Sequence, residues 1–210
     1  MVEQSKFLER LHEHFIHRAD EIYSVTISDG EEQILKWIDL EADCQAIMHS
    51  LSGIEKNVVL IFLRHSSLLH GAFLGAMMSG HTPSFMPCTS VKQDARLYWS
   101  SHQKLFDHIQ PAAIITSQDV SSEMIEAGLD LGDSKIVLVE NLTSPKTKLP
   151  IQICSEEDIA LLQHSSGTTG LKKGVALSFD AILKHAKSYS SAIEIGNEDR
   201  IISWLPLYHD

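Results

Sequence analysis

The sequence predicts an α/β fold of layered, mostly parallel strands with helices on both faces. Three observations lead there. Residues 58–63, 112–116 and 135–139 are short, almost continuously apolar runs rich in β-branched side chains, the pattern of strands buried on both sides of a parallel sheet. Segments of helical length and periodicity alternate with these runs. Glycine and proline punctuate the joins, as short crossovers require. Such an alternation implies a doubly wound layer with right-handed connections, and no internal repeat is visible.

Taken in order, Phe7, Leu8, Leu11 and Phe15 recur at helical spacing behind a Ser5 cap, which predicts a surface helix over residues 5–18. Residues 22–27 and 33–37 read as a β-hairpin closed at Asp29-Gly30. Leu40, Cys44, Ile47, Met48 and Leu51 predict a helix over 39–51 that stops at Gly53. After the 58–63 strand, a helix over 67–79 carries Gly71 and Gly75, with Gly80 behind it, and these allow close packing. Residues 81–87 follow as a strand. A helix over 91–109 ends before Pro111, and the 112–116 strand follows. Residues 124–131 carry only a short, weak pattern before the 135–139 strand. Residues 141–150, polar and aperiodic with Pro145, read as a loop or linker. Strands at 159–162 and 175–177 flank a polar glycine loop. Ile182, Leu183, Ala186, Tyr189, Ser190 and Ile193 then follow helical spacing to a stop near Gly196. Residues 200–205 are expected to form a last strand with a polar motif at its carboxyl end, where open α/β sheets bind ligands.

Composition narrows the function classes. The 210 residues are 43% hydrophobic and 21% charged, ordinary for a folded globular chain and long enough for one domain or two small ones. A formal charge of −11 argues against nucleic acid or an anionic membrane as general partners, so a nucleotide site here must be locally basic or built from backbone dipoles. Cys44, Cys88 and Cys154 are widely spaced without C-x-x-C or nearby histidine, and read as reduced thiols of a cytoplasmic protein. His12, His14 and His17 fall near one helical face and read as a solvated stripe. No targeting peptide is visible, and the apolar region 58–80 is interrupted by Arg64, His65 and His70, too broken for a membrane span.

One stretch concentrates the chemistry: Gln163-His164-Ser165-Ser166-Gly167-Thr168-Thr169-Gly170-Leu171-Lys172-Lys173-Gly174-Val175. Glycines at 167, 170 and 174 permit positive φ, so that successive N–H groups can converge on one anion. The hydroxyls at 165, 166, 168 and 169 add donors, and Lys172 and Lys173 add positive charge. Together they describe a polyphosphate clamp. A Ser/Thr/Gly-rich hairpin loop with no ligand has the same composition. The spacing G-x-x-x-x-G-K-[ST] of the phosphate-loop ATPases is not met from Gly167 or from Gly170, and no G-x-G-x-x-G occurs.

This run resembles the signature loop of the adenylate-forming superfamily, which includes acyl-CoA synthetases, fatty acyl-AMP ligases and peptide-synthetase adenylation domains. Lys172 stands where that family usually has proline, so the family's lysine falls on Lys173. A second motif, Trp204-Leu205-Pro206-Leu207-Tyr208-His209, is similar to the family's Leu-Pro-Leu-Phe/Tyr-His segment, and Trp37-Ile38-Asp39-Leu40 resembles its opening helix.

The resemblance implies an ATP- and Mg²⁺-dependent ligase that converts a carboxylic acid, fatty acids first, to an acyl-adenylate. The acyl group then passes to a thiol, either CoA or the phosphopantetheine of an acyl carrier protein partner. It assigns Ser165, Ser166, Gly167, Thr168, Thr169, Gly170 and Lys173 to the ATP phosphates and His209 to the border of the carboxylate pocket, with no protein-held metal. It also implies that residues 1–150 form a first α/β subdomain and residues 151–210 open a second. Because the family's adenine, ribose and catalytic-lysine motifs have no counterpart here, the chain is expected to be the N-terminal piece of a longer enzyme, inactive alone. The rival expectation is a non-catalytic nucleotide-binding or scaffold module that keeps the fold.

Overall fold

The structure is a computed structural model, and it describes residues 3–28, 30–89, 93–164, 174–196 and 198–207. Its centre is a four-stranded parallel sheet of order β4-β3-β5-β6, formed by Val58–Phe62 (β3), Thr82–Phe85 (β4), Ala113–Thr116 (β5) and Lys135–Leu138 (β6). The pleat sends alternate residues to opposite faces, and both faces of the central strands β3 and β5 are buried. Val59, Ile61, Ala113, Ile115 and Val137 pack with Ile47 and Leu51 of α2 (Trp37–Leu51) and Ala72 and Ala76 of α3 (Leu68–Met78). Leu60, Phe62 and Ile114 pack instead with Trp99, Leu105 and Phe106 of α4 (Ala95–Ile109) and with Val120 and Met124 of α5 (Gln118–Glu126). Helices therefore cover both faces, as the continuous apolar runs predict.

Around this layer sit an N-terminal helix α1 (Lys6–His17), an antiparallel hairpin of β1 (Ile22–Ser28) and β2 (Glu31–Lys36), and a second hairpin of β7 (Ile159–His164) and β8 (Gly174–Ser178) followed by α6 (Phe179–Ala192). Ser5 caps α1 by accepting from the Phe7 amide at 3.2 Å, and Leu8, Leu11 and Phe15 form its buried stripe. A third core joins these three residues to Leu40, Cys44 and Met48 of α2, Met77 and Met78 of α3, Cys154, Ala160 and Phe179.

The N-terminal segment is fastened to residues 152–156 by four hydrogen bonds. The Ser5 amide donates to the Cys154 carbonyl (2.7 Å), the Cys154 amide to Gln4 Oε1 (2.8 Å), Gln4 Nε2 to the Gln152 carbonyl (3.2 Å) and the Lys6 amide to Glu156 Oε1 (3.0 Å).

Where the local pattern misleads, the reason is visible. Trp37 starts α2 instead of ending β2, because the Asp39 carboxylate accepts from the Lys36 amide at 3.1 Å and closes the helix start two residues early. Asp94 caps α4 through the Leu97 amide at 3.0 Å, so that helix begins at Ala95 and not at 91. The helix after β5 spans Gln118–Glu126, earlier than the weak pattern at 124–131, because its apolar face rests on only Val120 and Met124. Residues 141–150 form no free linker. Gln45, itself buried, donates Nε2 to the Leu149 carbonyl at 3.0 Å and accepts from the Leu149 amide at 2.8 Å, while His49 bonds the Thr147 carbonyl and Lys148 pairs with Glu41.

Residues 200–205 are not a strand. Ile201, Ile202 and Trp204 are 80%, 88% and 87% exposed, and no strand among the described residues lies beside them to take up their backbone groups. No helix among the described residues is long and apolar enough to cross a membrane.

The closest helix contact is glycine-made. A Cβ on Gly75 would lie 2.8 Å from the Cys44 carbonyl oxygen and 2.8 Å from Ile47 Cβ, and one on Gly71 would lie 2.5 Å from Asp43 Cβ. Backbone thus meets side chain directly between α3 and α2, as Gly71 and Gly75 promise. Gly75→Ala gains about 1 kcal/mol of helix propensity but overpacks this contact. A net loss of about 1–3 kcal/mol is expected, measured as a lower urea midpoint with unchanged m-value.

Asp43 lies half-buried in the same contact, and burial, with Asp39 adding to it, pushes its carboxyl up to about 6. The folded protein therefore holds this proton more tightly than the unfolded chain does. The penalty of ionising Asp43 is full above about pH 6 and absent below the ordinary carboxylate value of 3.8. Asp43→Asn is expected to raise stability at pH 7 by about 1 kcal/mol, the shift being discounted for the part of the carboxyl that faces water. Urea titrations should show that gain fading as pH falls from about 6 to 4.

Candidate functional site

The β7–β8 hairpin holds the glycine-rich stretch. Its ladder pairs Leu161 with Leu177, Leu162 with Ala176, Gln163 with Val175 and His164 with Gly174. The sequence reading of two strands flanking a polar loop is correct in type, with β7 extended to His164. Ser165, Ser166, Gly167, Thr168, Thr169, Gly170 and Lys173 lie outside the described residues, as does His209. The structure therefore positions the two strand ends that bound the loop and says nothing of the loop itself.

Three anchors hold the hairpin. Ala160, fully buried, enters the core with Cys154 and Phe179. The start of α6 is capped by Ser178, whose hydroxyl accepts from the Ala181 amide at 3.2 Å, and the Phe179 and Asp180 amides donate to the Asp158 and Glu156 carbonyls. Third, β7 lies against β4 at the edge of the parallel sheet. The Thr82 and Met86 amides donate inward to Asn57 and Ile61 of the β3 segment, so the amide position of Pro83 between them faces outward. Proline offers no donor there, and β7 joins no continuous ladder with β4. Two side-chain contacts join the strands. Thr82 Oγ1 reaches the Ile159 carbonyl at 3.5 Å, the outer limit of a hydrogen bond, while Ser84 Oγ and His164 Nδ1 meet at 2.8 Å. Ser84 is fully buried, so this is the stronger tie.

Sequence reasoning assigns no role to Ser84 or to His164, which stand 80 residues apart. No local periodicity signals such a pair. The hydroxyls of Thr82 and Ser84 on a short strand beside apolar neighbours are the available hint.

The carboxyl edge of the parallel sheet is a second place where a doubly wound fold can bind a ligand, at the switch point between β3 and β5. Here it is filled from within. Arg64, just past β3, pairs with Asp119 and with Glu123 of α5, the latter at 2.7 Å, and also reaches Thr89 Oγ1 at 3.3 Å. Burial pushes the Glu123 carboxyl up, but the Thr89 hydroxyl at 2.6 Å and the Arg64 guanidinium outweigh it and hold Glu123 below the ordinary carboxylate range.

Other candidate chemistry resolves as packing. His14 stacks near Trp37 with centroids 4.9 Å apart, while His12 and His17 are exposed. The three cysteines are free, and burial pushes the Cys88 thiol up to about 11 and those of Cys44 and Cys154 upward as well, away from nucleophilic use. Among the described residues no group of three or more His, Cys, Asp or Glu could hold a metal ion.

Comparison with known proteins adds the rest. Residues 16–210 match the profile of the family described as AMP-binding enzyme. The chain is 26% identical over 203 residues to the hybrid PKS-NRPS synthetase pvhA of Talaromyces variabilis, covering 94% of this chain and 5% of that protein. It is 24% identical over 208 residues to 4-coumarate–CoA ligase 2 of Nicotiana tabacum, covering 87% of this chain and 36% of that enzyme. Among solved structures, the fatty acyl-adenylate ligase from L. pneumophila in complex with acyl adenylate and pyrophosphate superposes with a TM-score of 0.81 at 20% identity, over 99% of this chain and 38% of that one. At that identity the likeness is one of fold. The chain thus spans well under half the length of these relatives.

Proposed function

Because the chain belongs to the AMP-binding enzyme family, we propose that it carries the ATP-phosphate part of a ligase that activates a carboxylic acid, a fatty acid first among them, as its acyl-adenylate. The observation that carries this reading is the run from Gln163 to Val175, with its glycines, hydroxyls and lysines bounded by two strands paired up to His164 and Gly174.

The chemistry follows from the poor leaving group of a free carboxylate. A carboxylate oxygen attacks the α-phosphorus of ATP; the new P–O bond forms as the bond to the bridging oxygen breaks, and pyrophosphate leaves. The acyl carbon now bears AMP, a good leaving group, and a thiol displaces it to give a thioester. The acceptor thiol belongs to CoA or to carrier-bound phosphopantetheine, and an acyl carrier protein is a partner in the second case. Little covalent work falls to the protein, whose task is to position the reactants and offset charge.

In this reading Ser165, Ser166, Gly167, Thr168, Thr169 and Gly170 donate to the β- and γ-phosphates, and Lys173 adds charge at the flank. Backbone and hydroxyl donors suit a chain of net charge −11, since they bind an anion without needing a basic surface. His209 borders the carboxylate. In the same reading Mg²⁺ enters as the nucleotide's own counter-ion. Residues 1–150 serve as the first subdomain and residues 151–210 as the start of the second.

Carboxylate-dependent ATP–pyrophosphate exchange across short, medium and long acids tests the reading. Exchange with a preferred acid is expected, and a folded full-length protein without exchange would leave a non-catalytic module. Thr168→Ala with Thr169→Ala is expected to lower exchange about 100-fold or more, by analogy with the loss of donors to transition-state charge, while leaving the melting temperature unchanged. His209→Ala should raise KM for the acid more than KM for ATP. The reverse order would remove His209 from the acid side.

A further inference from the structure

We draw no further inference here: the strongest candidate, the surface patch of exposed apolar side chains at the end of α6 and along the segment after it (Tyr189, Ile193, Ile201, Ile202 and Trp204), is an unpartnered face, and nothing in the structure shows what covers it.

Discussion

The contact between α2 and α3 through Gly71 and Gly75 is the constraint on which the rest of the architecture depends. α3 is the crossover from β3 to β4, so its depth on the sheet sets where the β4 edge lies. α2 approaches to backbone distance because two glycines give it room. The N-terminal helix and the 147–149 strap are then hung on α2. Leu40, Cys44 and Met48 receive the apolar stripe of α1, and Gln45, His49 and Glu41 hold the 147–149 strap. A wider helix pair would displace these attachments together.

The parts of the fold that could be read from sequence are those where local pattern and tertiary burial agree. Strands β3 and β5 are apolar on both faces because both faces are covered, β6 at the sheet edge buries Val137 but leaves Ile136 exposed, and the limits of all three fall within a residue or two of expectation. Gly30, at φ +82, sits in the hairpin turn its position suggests. The failures share one cause, which is that the deciding interaction is remote in sequence. The 200–205 segment has the composition of a strand, but a strand needs a neighbour to take its hydrogen bonds. The 141–150 segment lacks periodicity because it is held by polar atoms of α2 about a hundred residues away. The candidate site divides the same way. Its glycine- and hydroxyl-rich run is legible as a motif, whereas the Ser84–His164 bond between β4 and the end of β7 is not.

The two ends of the molecule's electrostatics are complementary. At the switch point of the parallel sheet, Arg64 is engaged by Asp119 and Glu123, so the crevice where such sheets admit ligands holds a compensated ion network of the protein's own. Under the proposed function, recognition of a polyanion is left to the stretch between β7 and β8, which the sequence fills with glycines and hydroxyls.

The fastening of residues 4–6 to residues 152–156 also dictates when the first helix can be finished. The amide of Lys6 finds its acceptor in Glu156, 150 positions along the chain. At ribosomal rates of about 5–20 residues per second, that acceptor is synthesised on the order of 10 s after the helix has emerged. During that interval Leu8, Leu11 and Phe15 lack the Cys154, Ala160 and Phe179 side of their core. Until then the apolar stripe of α1 has only the side of that core supplied by residues 35–78 to pack on.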